Sequence, residues 1–290
     1  MKTPDEIKNE LAIKGYCVIP NILTPEEIEY SKLCFENWMS SIPDFNRFHN
    51  TVNSHGICKY HRAGHTRHAW FIRTRPAVKD VFKKIWEPDK LIVSYDGCCF
   101  ISKKNKKKTL HWTHTDQAPN LKGMHCYQGF VSLTNNKERT LVVYEGTHLL
   151  HEKYFKDRNI ESNNNWQVLE KDYVESIKHL KRVLHVPAGS LVLWESRTFH
   201  QNQYGAPESE ERMVQYVCYI PRNHIKNTEA IQEKRKRYFK DQRTTTHWPA
   251  PVHVNNLQPQ TYGDKNLEIE YNELKSSNLN DLMGEINQLI

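Results

Sequence analysis

The sequence predicts a mainly β protein, a sandwich or jelly roll with helices before and after it. Three observations carry that prediction. Strand signals crowd residues 91–222, at 91–101, 110–116, 124–134, 140–145, 182–186, 190–195 and 212–221, and turns such as Asn135-Asn136 and Pro187-Ala188-Gly189 divide them. Many short strands broken by turns argue for layered or closed sheets. Helix-start signals instead occupy the first 90 residues, and helical patterns return after 222.

In chain order, Thr3-Pro4-Asp5-Glu6 opens a helix, with threonine as cap, proline in the first turn and acids behind it; the helix ends near Gly15. Tyr16-Cys17-Val18-Ile19-Pro20 reads as a strand. Thr24-Pro25-Glu26-Glu27 is a capping box that opens a second helix to about Met39. Residues 42–75 are rich in His, Asn and Arg with little periodicity, and read as a polar loop rimming a pocket. The histidines there match no closed zinc spacing. Pro76 to Trp86 is a helix, and Leu91 begins the β-rich part. The insert 149–180 reads as helical and polar. A basic helix spans Glu229 to Asp241, and an amphipathic helix is expected over 268–290. With no internal repeat and no long low-complexity linker, the 290 residues read as one domain: a core at about 91–222, an N-terminal helical and loop region 1–90, and a C-terminal helical extension 223–290.

Composition excludes several classes. No apolar run approaches the ~20 residues of a membrane span, and Met1-Lys2-Thr3-Pro4-Asp5-Glu6 lacks an apolar leader. Seven cysteines without a Cys-x-x-Cys read as reduced thiols in an intracellular, cytoplasmic protein. The net charge of +7 gathers in Lys103-Lys104-Asn105-Lys106-Lys107-Lys108 and Lys234-Arg235-Lys236-Arg237. Such runs bind nucleic acid in some proteins, but few aromatics interleave them, which favours a solvated loop and helix face.

The chemistry centres on His114-Thr115-Asp116, the only His-x-Asp or His-x-Glu triplet in the chain. Residues i and i+2 of a strand share a face, so an imidazole and a carboxylate would stand side by side. Taken alone, the triplet is equally a polar strand face with a hydrogen-bonded histidine. His200, at the end of the strand-like run that follows Pro187-Ala188-Gly189, is placed to be a third ligand. Two histidines and a carboxylate on one face, with the opposite positions open, form the facial triad of non-haem Fe(II) sites. His111 falls on the opposite face and outside the metal shell. Arg212 opens the next strand, where its guanidinium can face the same interior and grip a carboxylate with two hydrogen bonds, or pair at the surface with Glu210 or Glu211.

The ordered set resembles the phytanoyl-CoA dioxygenase-like family of Fe(II)/2-oxoglutarate oxygenases over most of the chain. Gly15-Tyr16-Cys17-Val18-Ile19-Pro20 with Thr24-Pro25-Glu26-Glu27 is similar to the family's first strand and helix, and Leu141-Val142-Val143-Tyr144-Glu145-Gly146-Thr147-His148 to its strand ending in Gly-Ser/Thr-His. Pro187-Ala188-Gly189-Ser190-Leu191-Val192-Leu193-Trp194 with Ser196-Arg197-Thr198-Phe199-His200 resembles the strand that delivers the distal histidine. Lys137-Glu138-Arg139-Thr140 departs from the family's Asn-Gly or Gly-Gly, which changes a turn and no ligand. Gly64-His65 with Trp70 and Arg73, and Arg243-Thr244-Thr245-Thr246-His247-Trp248-Pro249, are similar to segments of a largely fungal subgroup.

The resemblance implies a double-stranded β-helix, a jelly-roll or cupin-like core. It implies Fe(II) on His114, Asp116 and His200, 2-oxoglutarate on Arg212, and Gln128 as a cosubstrate contact. Dioxygen is the co-reactant, with ascorbate as a reductant. The implied reaction hydroxylates an organic substrate and releases succinate and CO2. The seven tryptophans and the 42–75 loop would wall and cover the pocket. A small-molecule or acyl substrate, an amino-acid side chain and a nucleobase all stay open. The rival is an inactive jelly-roll binding protein associated with nucleic acid, against which the intact His114, Asp116, His200 and Arg212 argue. His148 belongs to a turn in the family and is not a ligand.

Overall fold

Thr3 and Thr24 cap the first two helices as their sequence contexts dictate. In the computed structural model, which describes residues 2–88 and 90–290, both capping boxes are closed in both directions, opening the helices Pro4–Lys14 and Pro25–Ser40. The first helix stops at Gly15, whose φ of 80° is open to glycine and strained for other residues. The chain then gathers into two compact units, one running to Asn21 and comprising Ile101–Arg212, the other comprising Ile22–Phe100 and Met213–Ile290.

The first unit holds two antiparallel groups of strands. In one, Leu191–Glu195 lies between Tyr16–Ile19 and Tyr127–Ser132. The other is a five-stranded sheet in the order Gln167–Val168, His114–Thr115, His200–Asn202, Leu141–Tyr144, Lys181–Val183. Side-chain alternation gives the five-stranded sheet two different faces. Val142 and Tyr144 pack outward against Tyr154, Phe155 and Val174 of the inserted helices His151–Asp157 and Lys171–Ser176. Val143, in register with His200, looks the other way, as does His114 on the far side of His200. The predicted helical insert is thus the cover on the sheet's outer face, which frees the inner face for polar side chains.

Predicted strand 110–116 shrinks to His114–Thr115, and 91–101 splits into Leu91–Val93 and Cys98–Ile101. Residues 103–111 are mostly exposed. The turn that begins the lysine run is tied down by the buried Arg139, which donates to the carbonyls of Ser102, Lys103 and Asn105.

The second unit corrects three expectations. The 42–75 segment is largely helical, with Phe45–Val52 capped by Asp44 and Arg67–Thr74 capped by Thr66. His49, His65 and His68 are buried there and packed against aromatic rings, His68 stacking on Phe35 at 4.3 Å, so they are core residues rather than parts of a polar lid. The 268–290 helix reduces to Met283–Ile286 with a 3-10 turn before it, where Asn278 Oδ1 accepts locally from Asn280 N. The basic helix Glu229–Lys240 is present, but Arg235 is buried and donates to the carbonyls of Pro249, Val93 and Leu289. No helix among the described residues is long and apolar enough to cross a membrane.

Candidate metal and cosubstrate site

His114 and His200 sit directly opposite each other on neighbouring antiparallel strands, which places both imidazoles on one face with ring centroids 4.3 Å apart. Each ring is turned by a backbone carbonyl two residues before it. His114 Nδ1 lies 3.0 Å from Trp112 O, and His200 Nδ1 lies 2.8 Å from Thr198 O. A carbonyl only accepts, so both Nδ1 atoms carry a proton, which turns both Nε2 atoms toward the interior of the group. Those Nε2 atoms converge on Asp116 Oδ2, at 3.7 Å from His114 and 3.2 Å from His200. The three ligand atoms lie within 4.8 Å of one another, a group that could hold a metal ion.

The charge state suits that role. Burial, with the His114 imidazole beside it, pushes the His200 pKa below its ordinary value, while Asp116 pulls the other way. A neutral imidazole with a free lone pair is the form that binds metal. Asp116 is held from two sides: its backbone N–H donates to Ser196 O, and Gln128 Nε2 donates to its Oδ2 at 2.9 Å. Gln128, expected as a cosubstrate contact, therefore also bonds a predicted metal ligand. His111 lies outside the group, with Nε2 2.8 Å from Leu169 O. His148 bonds Ala12 O and takes no part.

Arg212 is fully buried. Its Nη1 donates to Asn202 Oδ1 at 2.8 Å, its Cζ lies 5.2 Å from the Phe130 ring centroid, and its Nε and Nη2 have no acceptor among the described residues. Buried donors without partners cost about 1–3 kcal/mol each, and a guanidinium presenting two free N–H groups fits an incoming carboxylate. The surface pairing with Glu210 or Glu211 does not form; Glu210 instead accepts from the backbone N–H groups of Lys137, Glu138 and Arg139.

Three tryptophans border the group. Trp112 stacks on His114 at 4.7 Å, Trp166 lies 5.9 Å from His114, and Trp194 lies 5.3 Å from His200. Trp194 is opposite Gln128 in the strand register, so the two share a face, and its buried indole N–H has no partner among the described residues. Sequence reasoning counted tryptophans without choosing among them. The signal that selects Trp194 is its pairing across the sheet from Gln128.

With this geometry in place the comparisons are decisive for the fold. SnoK, a non-haem α-ketoglutarate-dependent carbocyclase from nogalamycin biosynthesis, superposes with a TM-score of 0.52 at 16% identity, covering 76% of this chain and 86% of its own. The chain shares its fold with this enzyme. SnoN, an epimerase solved with Fe3+, α-ketoglutarate and nogalamycin RO, gives 0.53 at 13% identity over 75% of this chain and 83% of its own. Sequence similarity reaches 27% over 265 residues with Ava biosynthesis cluster protein O of Aspergillus versicolor, covering 83% of this chain and 85% of that protein. No protein-family model matches the chain.

Proposed function

We propose that the protein is an Fe(II)/2-oxoglutarate-dependent dioxygenase that hydroxylates a small organic molecule and releases succinate and CO2. One observation carries this reading. Two histidine Nε2 atoms and a carboxylate oxygen converge in the same compact unit as a buried arginine with two N–H-bearing nitrogens unpartnered among the described residues. The donor set of His114, Asp116 and His200 fits Fe(II) with open positions, and Arg212 fits the remote carboxylate of 2-oxoglutarate. Bound there, iron and 2-oxoglutarate supply the oxidising chemistry, with dioxygen as co-reactant. The chain's own residues do the positioning. Trp112 O and Thr198 O fix the imidazole tautomers, Gln128 orients the Asp116 carboxylate, and Asn202 aims Arg212.

Asp116 would give the metal an anionic oxygen ligand in place of a halide, which supports hydroxylation over halogenation and turnover indifferent to chloride. A small-molecule substrate is supported by the similarity to a biosynthesis-cluster protein and by structural neighbours named for steps on small molecules. The test is a succinate-release screen across candidate substrates with Fe(II) and 2-oxoglutarate. Release that needs both, and that is lost in Asp116→Ala, supports the reading; no release and no 2-oxoglutarate binding at millimolar cosubstrate returns the chain to the binding-protein alternative.

A further inference from the structure

We infer that the substrate is a neutral molecule carrying a flat aromatic or conjugated ring system, and that the exposed face of Trp166 receives it; this rests on the triad being a metal centre. Trp166 is 50% exposed, whereas its neighbour at the site, Trp112, is 9% exposed. The Trp166 ring nevertheless stands 5.9 Å from the His114 ring. A large apolar ring left in water beside a catalytic group invites an apolar partner.

The position of Trp166 is held by other groups than its own ring. Trp166 N donates to Asn164 Oδ1, Gln167 Nε2 donates to Asn164 O and Ser162 Oγ, and Asn165 Oδ1 accepts from Ala118 N. Gln167 then enters the sheet opposite Thr115, between His114 and Asp116. The loop is therefore braced by amides and by strand pairing, with the indole half exposed. Trp112 completes the arrangement from within: its Nε1 donates to Asn202 O, which fixes the ring that stacks on His114.

The two segments that carry Trp166 and His114 are also poor in charge. Residues 162–168 and 109–121 contain no Lys, Arg or Glu, and their one acid is Asp116, in a chain with 26% charged residues. Of the nearby charges, Lys122 is 3.9 Å from Glu152, and Arg197 lies beside Glu195 and 3.9 Å from Glu152. Apart from Asp116, which the metal would engage, an ionic substrate would find no counter-charge on these two segments, while a flat neutral ring can stack on the indole and meet the amide-rich rim.

The experiment measures binding by calorimetry to protein loaded with Ni(II) and 2-oxoglutarate. The probes are 2-naphthol, 2-naphthalenesulfonate as its charged counterpart and 2-decalol as its non-planar counterpart. The expected result is that 2-naphthol binds and both counterparts bind about tenfold more weakly or worse, that Trp166→Ala loses about tenfold in 2-naphthol affinity, and that Trp166→Phe keeps most of it, as stacking contributions predict. Metal and 2-oxoglutarate binding should be unchanged in both variants, which separates failure here from failure of the metal-centre reading. The inference is overturned if the parent protein does not bind 2-naphthol, if the sulfonate or the decalol binds equally well, or if Trp166→Ala binds like the parent. It is equally overturned if sedimentation shows a self-association that Trp166→Ala abolishes, which would make the ring a contact between copies of the chain.

Discussion

Arg212 gives one hydrogen bond to Asn202, at 2.8 Å, and holds two further buried N–H groups without an acceptor among the described residues. That asymmetry orients the guanidinium while keeping most of its binding capacity free. Arg212→Ala should therefore weaken 2-oxoglutarate at least about tenfold, since losing one partner of a buried charged pair costs about 2–5 kcal/mol. Arg212→Lys should recover only part of the affinity, because an ammonium cannot present the planar fork. Anaerobic titration of the Fe(II) protein with 2-oxoglutarate, followed by calorimetry, measures both; undiminished affinity in Arg212→Ala would mean that another group holds the remote carboxylate.

Metal binding should divide between ligands and supports. His200→Ala is expected to abolish stoichiometric Fe(II) binding. Gln128→Leu, which removes the amide donor to Asp116 Oδ2, should weaken the metal by about 10–100-fold without abolishing it. Equilibrium dialysis of the two variants separates these outcomes, and equal losses in both would deny Gln128 a supporting role.

Much of this site was legible in the sequence because its elements are local. His114 and Asp116 lie together as strand alternation predicts, although the strand ends at Thr115; the turn Pro187-Ala188-Gly189 announces the strand Leu191–Glu195, after which His200 opens a strand of the other sheet, and capping residues mark the first two helices. What stayed hidden depends on partners distant in sequence. Nothing near Arg235 says that its guanidinium will be buried under the carbonyls of Val93 and Leu289. Nothing near His68 says that Phe35 will stack on it. The 42–75 segment reads as a polar loop because it is rich in His, Asn and Arg with little periodicity, yet tertiary contacts bury several of those residues, His49, His65, His68 and Arg73 among them. The C-terminal segment differs the other way, its apolar spacing suggesting a helix that the local bond of Asn278 to Asn280 N interrupts.

Gly15 links the first helix to the candidate metal site. Its carbonyl accepts from Thr198 Oγ1 at 2.8 Å, and Thr198 O in turn accepts from His200 Nδ1. A Cβ at Gly15 would lie 2.6 Å from both Thr198 Oγ1 and His148 Nδ1, at a φ of +80°. Gly15→Ala should cost about 1–3 kcal/mol of stability and also weaken the metal, because the strand end carrying His200 must shift. Denaturant titration with and without metal checks both. A stability loss with unchanged metal affinity would confine Gly15 to helix termination.

Acid should weaken the protein through its buried histidines before its carboxylates protonate. Burial pushes His65 and His68 each down to about 3, and desolvation is the leading cause in both. In the unfolded chain both titrate near ~6.5. The unfolded state therefore binds more protons between these values, so the stability that the neutral rings contribute is full above ~6.5 and is lost progressively as pH falls toward 3. At pH 5 each should have cost about 2 kcal/mol relative to neutral pH, at about 1.4 kcal/mol per pH unit below the unfolded value. His68→Phe keeps a ring against Phe35 and removes one titrating group. Its unfolding free energy should fall less steeply than the parent's between pH 7 and pH 5, by about 2 kcal/mol over that range. Parallel pH profiles for the two proteins would show that His68 is either protonated in the folded state or already released before unfolding.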